Sequence, residues 1–130
     1  MENQLTKTQE KMAAVIDSKG FGEVMKPLIK EIHLFDSFVA GTTQLQDNSV
    51  LEEIETGEIL NLQREENKFD EMAILILTES GKKLGYIPEK DNVVFARLMD
   101  AGKLLKARIT KIQKKNSFVQ INVGIYLVDY

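Results

Sequence analysis

The sequence predicts a mainly β fold: six short strands bent into a small barrel, with two inserted helices and an N-terminal helical extension. Three observations carry this. From Ile32 onward, six segments rich in β-forming residues are separated by turns bearing Gly, Asn, Asp or Ser. Within that region two windows break the strand pattern with helical spacing and cap residues. The chain has 130 residues, 43% of them hydrophobic, the scale of one modest core.

Taken in order, residues 4–17 read as a helix, with Leu5, Met12 and Ile16 on a loose apolar stripe. Gly20 and Gly22 end it, Pro27 sits in a short second element, and residues 1–31 form the extension that precedes a domain at 32–130. Ile32–Ala40 is the first strand, closed by Gly41-Thr42-Thr43. Ser49 and Glu52 have capping-box spacing for a short helix through Ile54. Glu58–Glu65 reads as a strand and 67–70 as a turn. Met72–Thr78 is apolar on both faces, as a strand covered on two sides should be. Ser80-Gly81-Lys82 turns into Lys83–Ile87, which Pro88 stops. Asp91 is placed to cap a helix carrying Val94, Phe95, Leu98 and Met99, ended by Gly102. Leu104–Ile109 alternates with Leu105, Ala107 and Ile109 on one face; Ile112 falls out of phase, which predicts a bulge near Thr110-Lys111. Asn116-Ser117 turns into a closing strand, Phe118–Val128, with a bend at Gly124. This order of strands and helices fits a small, strongly bent barrel of the OB type.

Composition narrows the function. No apolar run reaches the 18 residues that a spanning helix needs, and no secretory leader is evident, so the expectation is a cytoplasmic protein off the membrane. With no cysteine there are neither disulfides nor thiolate chemistry. The net charge of −3 argues against a non-specific phosphate binder. The charge is unevenly spread, however. Residues 47–71 hold nine acids against Arg64 and Lys68, whereas 101–128 hold no acid and six bases, Lys103, Lys106, Arg108, Lys111, Lys114 and Lys115. A locally positive face can coexist with an acidic average, although a merely solvated strand face explains the same run.

The most informative stretch runs Leu60-Asn61-Leu62-Gln63-Arg64-Glu65-Glu66-Asn67-Lys68-Phe69-Asp70-Glu71-Met72-Ala73-Ile74, followed beyond Gly81 by Gly85-Tyr86-Ile87-Pro88. A strand ending in Arg-Glu, an Asn-x-aromatic-Asp turn, Ala-Ile opening the next strand and Gly-Tyr-Ile-Pro together resemble the HIRAN family. Ala96, Leu98, Met99 and Gly102 match its helix, and Val39-Ala40-Gly41 its opening strand, so the resemblance covers about residues 31–127. It implies an OB-like barrel that acts as an accessory module of DNA-remodelling ATPases or as a short bacterial protein. It further implies a pocket for single-stranded DNA at a free 3′-hydroxyl, formed by this turn and the loop after the first strand. Carried over, that implicates Asn67, Phe69 and Asp70, with Tyr86 as a neighbouring stacking surface. Here the turn is one residue shorter than usual, and the loop reads Thr42-Thr43-Gln44-Leu45 in place of basic and aromatic residues.

The chemistry suits these residue types. An ionised Asp70 only accepts, so it can receive a terminal hydroxyl and repel a phosphate. A base stacked on Phe69 or Tyr86 gains ~1–3 kcal/mol, and Asn67 can both donate and accept. Lys106, Arg108 and Lys111 can hold the backbone if their strand borders the pocket. Structural alternatives stand beside these roles: Asn67 and Asp70 closing the turn, Phe69 capping the core, Tyr86 as packing, Arg64 pairing with Glu65 or Glu58, and Gly85 serving a bulge or a close approach.

No Walker sequence, nucleophile elbow or His/Cys metal cluster is present, and no cofactor is expected. His33, the only histidine, reads as structural. The expectation is therefore a DNA-binding module and not an enzyme, accessory to repair or remodelling, with an ATPase or nuclease as possible protein partner. A protein-interaction adaptor is the second reading. A magnesium nuclease using Glu65, Glu66 and Asp70 around Glu66-Asn67-Lys68 is a distant third.

Overall fold

The computed structural model describes residues 30–45, 48–115 and 118–129. The expected helix at 4–17, the element at Pro27 and the Asn116-Ser117 turn lie outside the described residues.

Strands β1 (Lys30–Phe38), β2 (Ile59–Arg64), β3 (Ile74–Thr78), β4 (Lys83–Tyr86), β5 (Leu104–Lys114) and β6 (Val119–Asp129) form one antiparallel sheet in the order β1-β6-β5-β2-β3-β4. Alternation of apolar and polar residues marks β2 and β5, whereas β3 is apolar on both faces. Register pairs Leu60 with both Thr78 and Ala107, and Ala107 with Ile125. Directly opposed residues share a face. Leu60, Ile74, Ile76, Leu84, Ala107, Ile109, Ile121, Val123 and Ile125 therefore make one buried layer. The intervening residues make the opposite face: Tyr126, Lys106 and Asn61 lie in one row across β6, β5 and β2.

The expected barrel is not closed. The hydrogen-bond ladder ends at β1 and β4, and among the described residues these edges meet in a single bridge, where Ala40 and Tyr86 exchange two backbone hydrogen bonds of 2.8 and 2.9 Å. The cause is local. β4 has four residues before Pro88, which has no N–H to extend a ladder, and the chain leaves β1 through Gly41 in a left-handed conformation (φ 83°). Gly85 sits at this seam for lack of a side chain. A Cβ there would meet the Ala40 carbonyl oxygen inside van der Waals contact and Val39 Cγ1 at 2.7 Å.

Both inserted helices are present. α1 (Val50–Glu53) has Ser49 at its N-cap but no side-chain cap bond. α2 (Glu89–Asp100) starts two residues before the predicted cap. Pro88 takes the N-cap position, and Asp91, in the first turn, instead accepts from Ser37 Oγ on β1 at 3.0 Å. The buried side of α2 contributes Phe95 and Ala96 to the core. The β5–β6 register shifts between Ile109 and Lys111, where the bulge was expected. Gly124 remains in the ladder opposite Arg108, and the Tyr126 ring lies 3.1 Å from where its Cβ would be. His33 is exposed, donates to Asp36 at 2.7 Å and meets Tyr126 edge-on.

Candidate nucleic-acid interface

The connection from β2 to β3 is organised by its own side chains. Asn67 Oδ1 accepts from the backbone N–H groups of Phe69 (2.9 Å) and Asp70 (2.8 Å), which folds the turn back on itself. Asp70 Oδ1 accepts from the Met72 N–H (2.8 Å), and its Oδ2 accepts from Asn92 Nδ2 on α2 (2.8 Å). Arg64 clamps the far side, donating to the carbonyls of Ala73 (2.8 Å) and Glu71 (2.9 Å) and bidentately to Asp100. Its partner is thus Asp100, 36 residues away in sequence, and not Glu65 or Glu58.

This bracing presents an aromatic ring to solvent. Phe69 is 84% exposed, so it does not cap the core; Lys68 Nζ lies 5.1 Å from its ring centroid. Tyr86 is half-buried beside the turn, and its hydroxyl donates to Glu65 Oε2 at 2.7 Å. Lys83 Nζ stands 4.7 Å from the Tyr86 ring centroid. Asn67 Nδ2 also donates to Glu65 (3.1 Å). The Tyr86 and Asn67 hydrogen bonds hold the Glu65 carboxyl below the usual glutamate range.

Asn67 and Asp70 therefore do close the turn, as the structural alternative held, but this leaves them room for a ligand. Each Asp70 oxygen accepts one described donor, and a carboxylate offers about four acceptor sites in all. Asp70 is half-buried and fixed on two sides, a preset acceptor. Of the three carboxylates in the magnesium reading, Glu65 and Asp70 both accept from protein donors and Glu66 is exposed.

A second feature adjoins the seam. The segment after β1 borders a cavity of about 500 Å³ lined by Phe38, Ala40, Gly41, Thr42, Thr43, Phe118 and Gln120 among others. The loop carries no aromatic of its own, but Phe38 (36% exposed) and Phe118 (41% exposed) stand on its two sides. Phe118 is a residue that sequence reasoning passed over. In sequence it lies 76 positions from Thr42, and only the β5–β6 hairpin brings it there, marked by the reciprocal Lys115–Phe118 backbone bonds of 2.8 and 3.3 Å. The first turn of α2 joins the two features, since Lys90 Nζ lies 5.8 Å from the Phe38 ring centroid and Asn92 holds Asp70.

The predicted backbone-holding residues are placed elsewhere. Lys106 donates to Asn61 Oδ1 (2.6 Å) and Arg108 lies over the Tyr126 ring (5.7 Å), both on the sheet face opposite the buried layer. Lys111 is exposed at the bulge. None of these three lines the cavities beside the loop; the cations that line one of them are Lys114, the last residue of β5, and Lys115 just after it.

Comparison with known proteins agrees with this architecture. Residues 32–128 match the HIRAN domain family. The chain belongs to the HIRAN family. A search of curated protein sequences found no significant match. Among solved structures, this HIRAN domain is similar to a protein from Lactobacillus plantarum, at 27% identity and a TM-score of 0.72, covering 78% of this chain and 99% of that one. It is also similar to the HIRAN domain of human HLTF, at 16% identity and a TM-score of 0.61, covering 76% and 79% respectively; at that identity the likeness is one of fold. Family membership points to a DNA-binding module rather than a catalytic one. Among the described residues no helix is long and apolar enough to cross a membrane.

Proposed function

We propose that this HIRAN domain binds single-stranded DNA, with the 3′-hydroxyl end of a strand directed at Asp70, and serves as an accessory to repair or remodelling enzymes. The observation that carries this reading is Phe69. A large apolar ring 84% exposed forgoes its burial energy, and here it does so on a turn that Asn67, Asp70 and Arg64 hold rigid. A fixed, exposed ring beside Lys68, next to a preset carboxylate acceptor, matches what a strand end requires: a base to stack, a phosphate to neutralise and a hydroxyl to receive. The seam cavity between Phe38 and Phe118 extends the stacking surface toward nucleotides farther from the end.

Fluorescence anisotropy with oligonucleotides ending in 3′-hydroxyl or 3′-phosphate tests the reading. The hydroxyl end should bind more tightly, Asp70→Ala should remove the difference, and Phe69→Ala should weaken binding of both by ~1–3 kcal/mol. Equal or negligible binding of the two ends by the wild type would sink strand-end recognition.

A second reading, docking of a protein partner, is favoured by one observation. A mostly apolar groove of about 440 Å³ runs between β1 and α2, lined by Leu34, Phe35, Val94, Phe95 and Leu98 with Lys90 and Asp91 at α2's first turn, and Val94 is 64% exposed. Capture of a DNA-processing enzyme that Val94→Asp abolishes, without change in oligonucleotide affinity, would support it.

A further inference from the structure

We propose that the cavity between α1 and the β5–β6 hairpin is a phosphate subsite for a nucleic-acid strand. The proposal rests on the DNA-binding reading above and extends it to residues outside the 65–72 turn. This cavity, of about 440 Å³, adjoins the one beside Phe38 and shares Thr42, Thr43, Phe118 and Val119 with it. The two halves differ in chemistry. The Phe38 half is lined by Phe38, Val39, Ala40, Gly41 and Gln120 beside the shared residues, with no charged side chain among them. The α1 half is lined by Thr43 and Asn48 from the connection after β1, by Lys114 at the end of β5 and by Lys115 just beyond it. Two ammonium groups, a hydroxyl and an amide together form a donor set suited to a phosphodiester.

Three further observations favour a strand here. Among the described residues neither Lys114 nor Lys115 is paired with a carboxylate, whereas Lys106 on the same strand is already bonded to Asn61. Thr42 Oγ1 donates to the Val119 carbonyl at 3.2 Å and pins the wall that the two cavities share. Phe118 lines both, so a base stacked on its ring and the phosphate on the sugar of that nucleotide would occupy the two cavities in turn. Glu52 also lines the α1 half, and its charge opposes a phosphate. The protein carries a net charge of −3, so phosphate attraction has to come from such a local pair of cations.

The test is anisotropy of the wild type and of Lys114→Ala/Lys115→Ala with a short 3′-hydroxyl thymidine oligonucleotide, repeated between roughly 50 and 200 mM salt. The double variant should lose about tenfold in affinity, equally for thymidine and adenosine strands. Its slope of log affinity against log salt should become shallower by about 1.4, or ~0.7 for each lost single-strand contact. Glu52→Gln should strengthen binding, and Lys103→Ala, on the exposed α2–β5 connection, should change neither quantity. A double variant that keeps the wild-type slope overturns the subsite and leaves DNA binding standing. A wild type that binds no oligonucleotide overturns both. A second arm needs no variant: uncharged methylphosphonate linkages placed one at a time along the oligonucleotide should weaken wild-type binding at one or two positions, and no loss at any position overturns the proposal.

Discussion

Asn92 shows how a single side chain can serve position more than stability. It is 1% exposed, its amide donates to Asp70 Oδ2, and its own Oδ1 has no hydrogen-bond partner among the described residues. Replacing it with leucine removes a bond to a charged acceptor, costing ~1.5–3 kcal/mol, but also removes an unsatisfied buried carbonyl, which returns ~1–3 kcal/mol. The two nearly cancel. Asn92→Leu is therefore expected to leave the urea midpoint nearly unchanged while loosening Asp70, and the preference for a 3′-hydroxyl over a 3′-phosphate should shrink. A large fall in stability with the end preference intact would contradict this account. Glu65 gives a prediction with a defined sign. Its carboxyl is held below the usual range by the Tyr86 hydroxyl and the Asn67 amide. The stability it lends is present above the ordinary glutamate pKa and is lost as pH falls through the depressed value. Urea midpoints measured from roughly pH 6 down to pH 3 should fall on acidification, less steeply in Glu65→Gln and in Tyr86→Phe.

Among the elements, the seam between β1 and β4 is the least obvious in sequence and the most easily broken. Strand positions followed from alternation and turn residues, and they hold to within two residues. Lys30–Phe38, Ile59–Arg64 and Val119–Asp129 each begin or end slightly away from where the pattern places them. The bulge was legible because a two-residue period cannot skip a position silently. By contrast, Asp91 looked like a cap and is a cross-element acceptor for Ser37; sequence spacing sees only neighbours along the chain. Gly85 was legible as a bulge or a close approach, and both are found there: the β3–β4 register shifts next to its pair with Ile76, and its Cα lies against Ala40 and Val39. Alanine at this position forces a methyl group against the Ala40 carbonyl and Val39, an overpacking that costs ~1–3 kcal/mol. Gly85→Ala should lower the thermal midpoint accordingly. Amide exchange at Ala40 and Tyr86, whose N–H groups form the bridge, should accelerate more than at Ile76 in the sheet interior.

For the whole molecule, charge and topology together decide what kind of ligand fits. The 65–72 turn was legible in sequence because its residues are consecutive and each type has a local job. The cavity beside the loop was not, since Phe38, Thr43, Lys114 and Phe118 meet only after β5 and β6 return the chain to the end of β1. Lys106 and Arg108 stood out in the basic run, yet strand alternation places them on the sheet face opposite the buried layer. A net charge of −3 disfavours the broad phosphate contact on which non-specific duplex binding depends. What is left is a small number of cations with no carboxylate partner among the described residues, Lys68 beside Phe69 and Lys114 and Lys115 within a cavity; Lys90, beside Phe38, is paired with Asp91. Two or three phosphate contacts give a single-strand salt slope of roughly −1.4 to −2, far shallower than the slope expected of a protein making six to ten such contacts. Unlabelled duplex DNA with blunt ends should consequently compete poorly for the bound oligonucleotide, because its bases are paired and cannot unstack onto Phe69 or Phe118. A steep slope, or a duplex that competes as well as a single strand, would mean that binding runs over a surface outside the turn and the loop cavities.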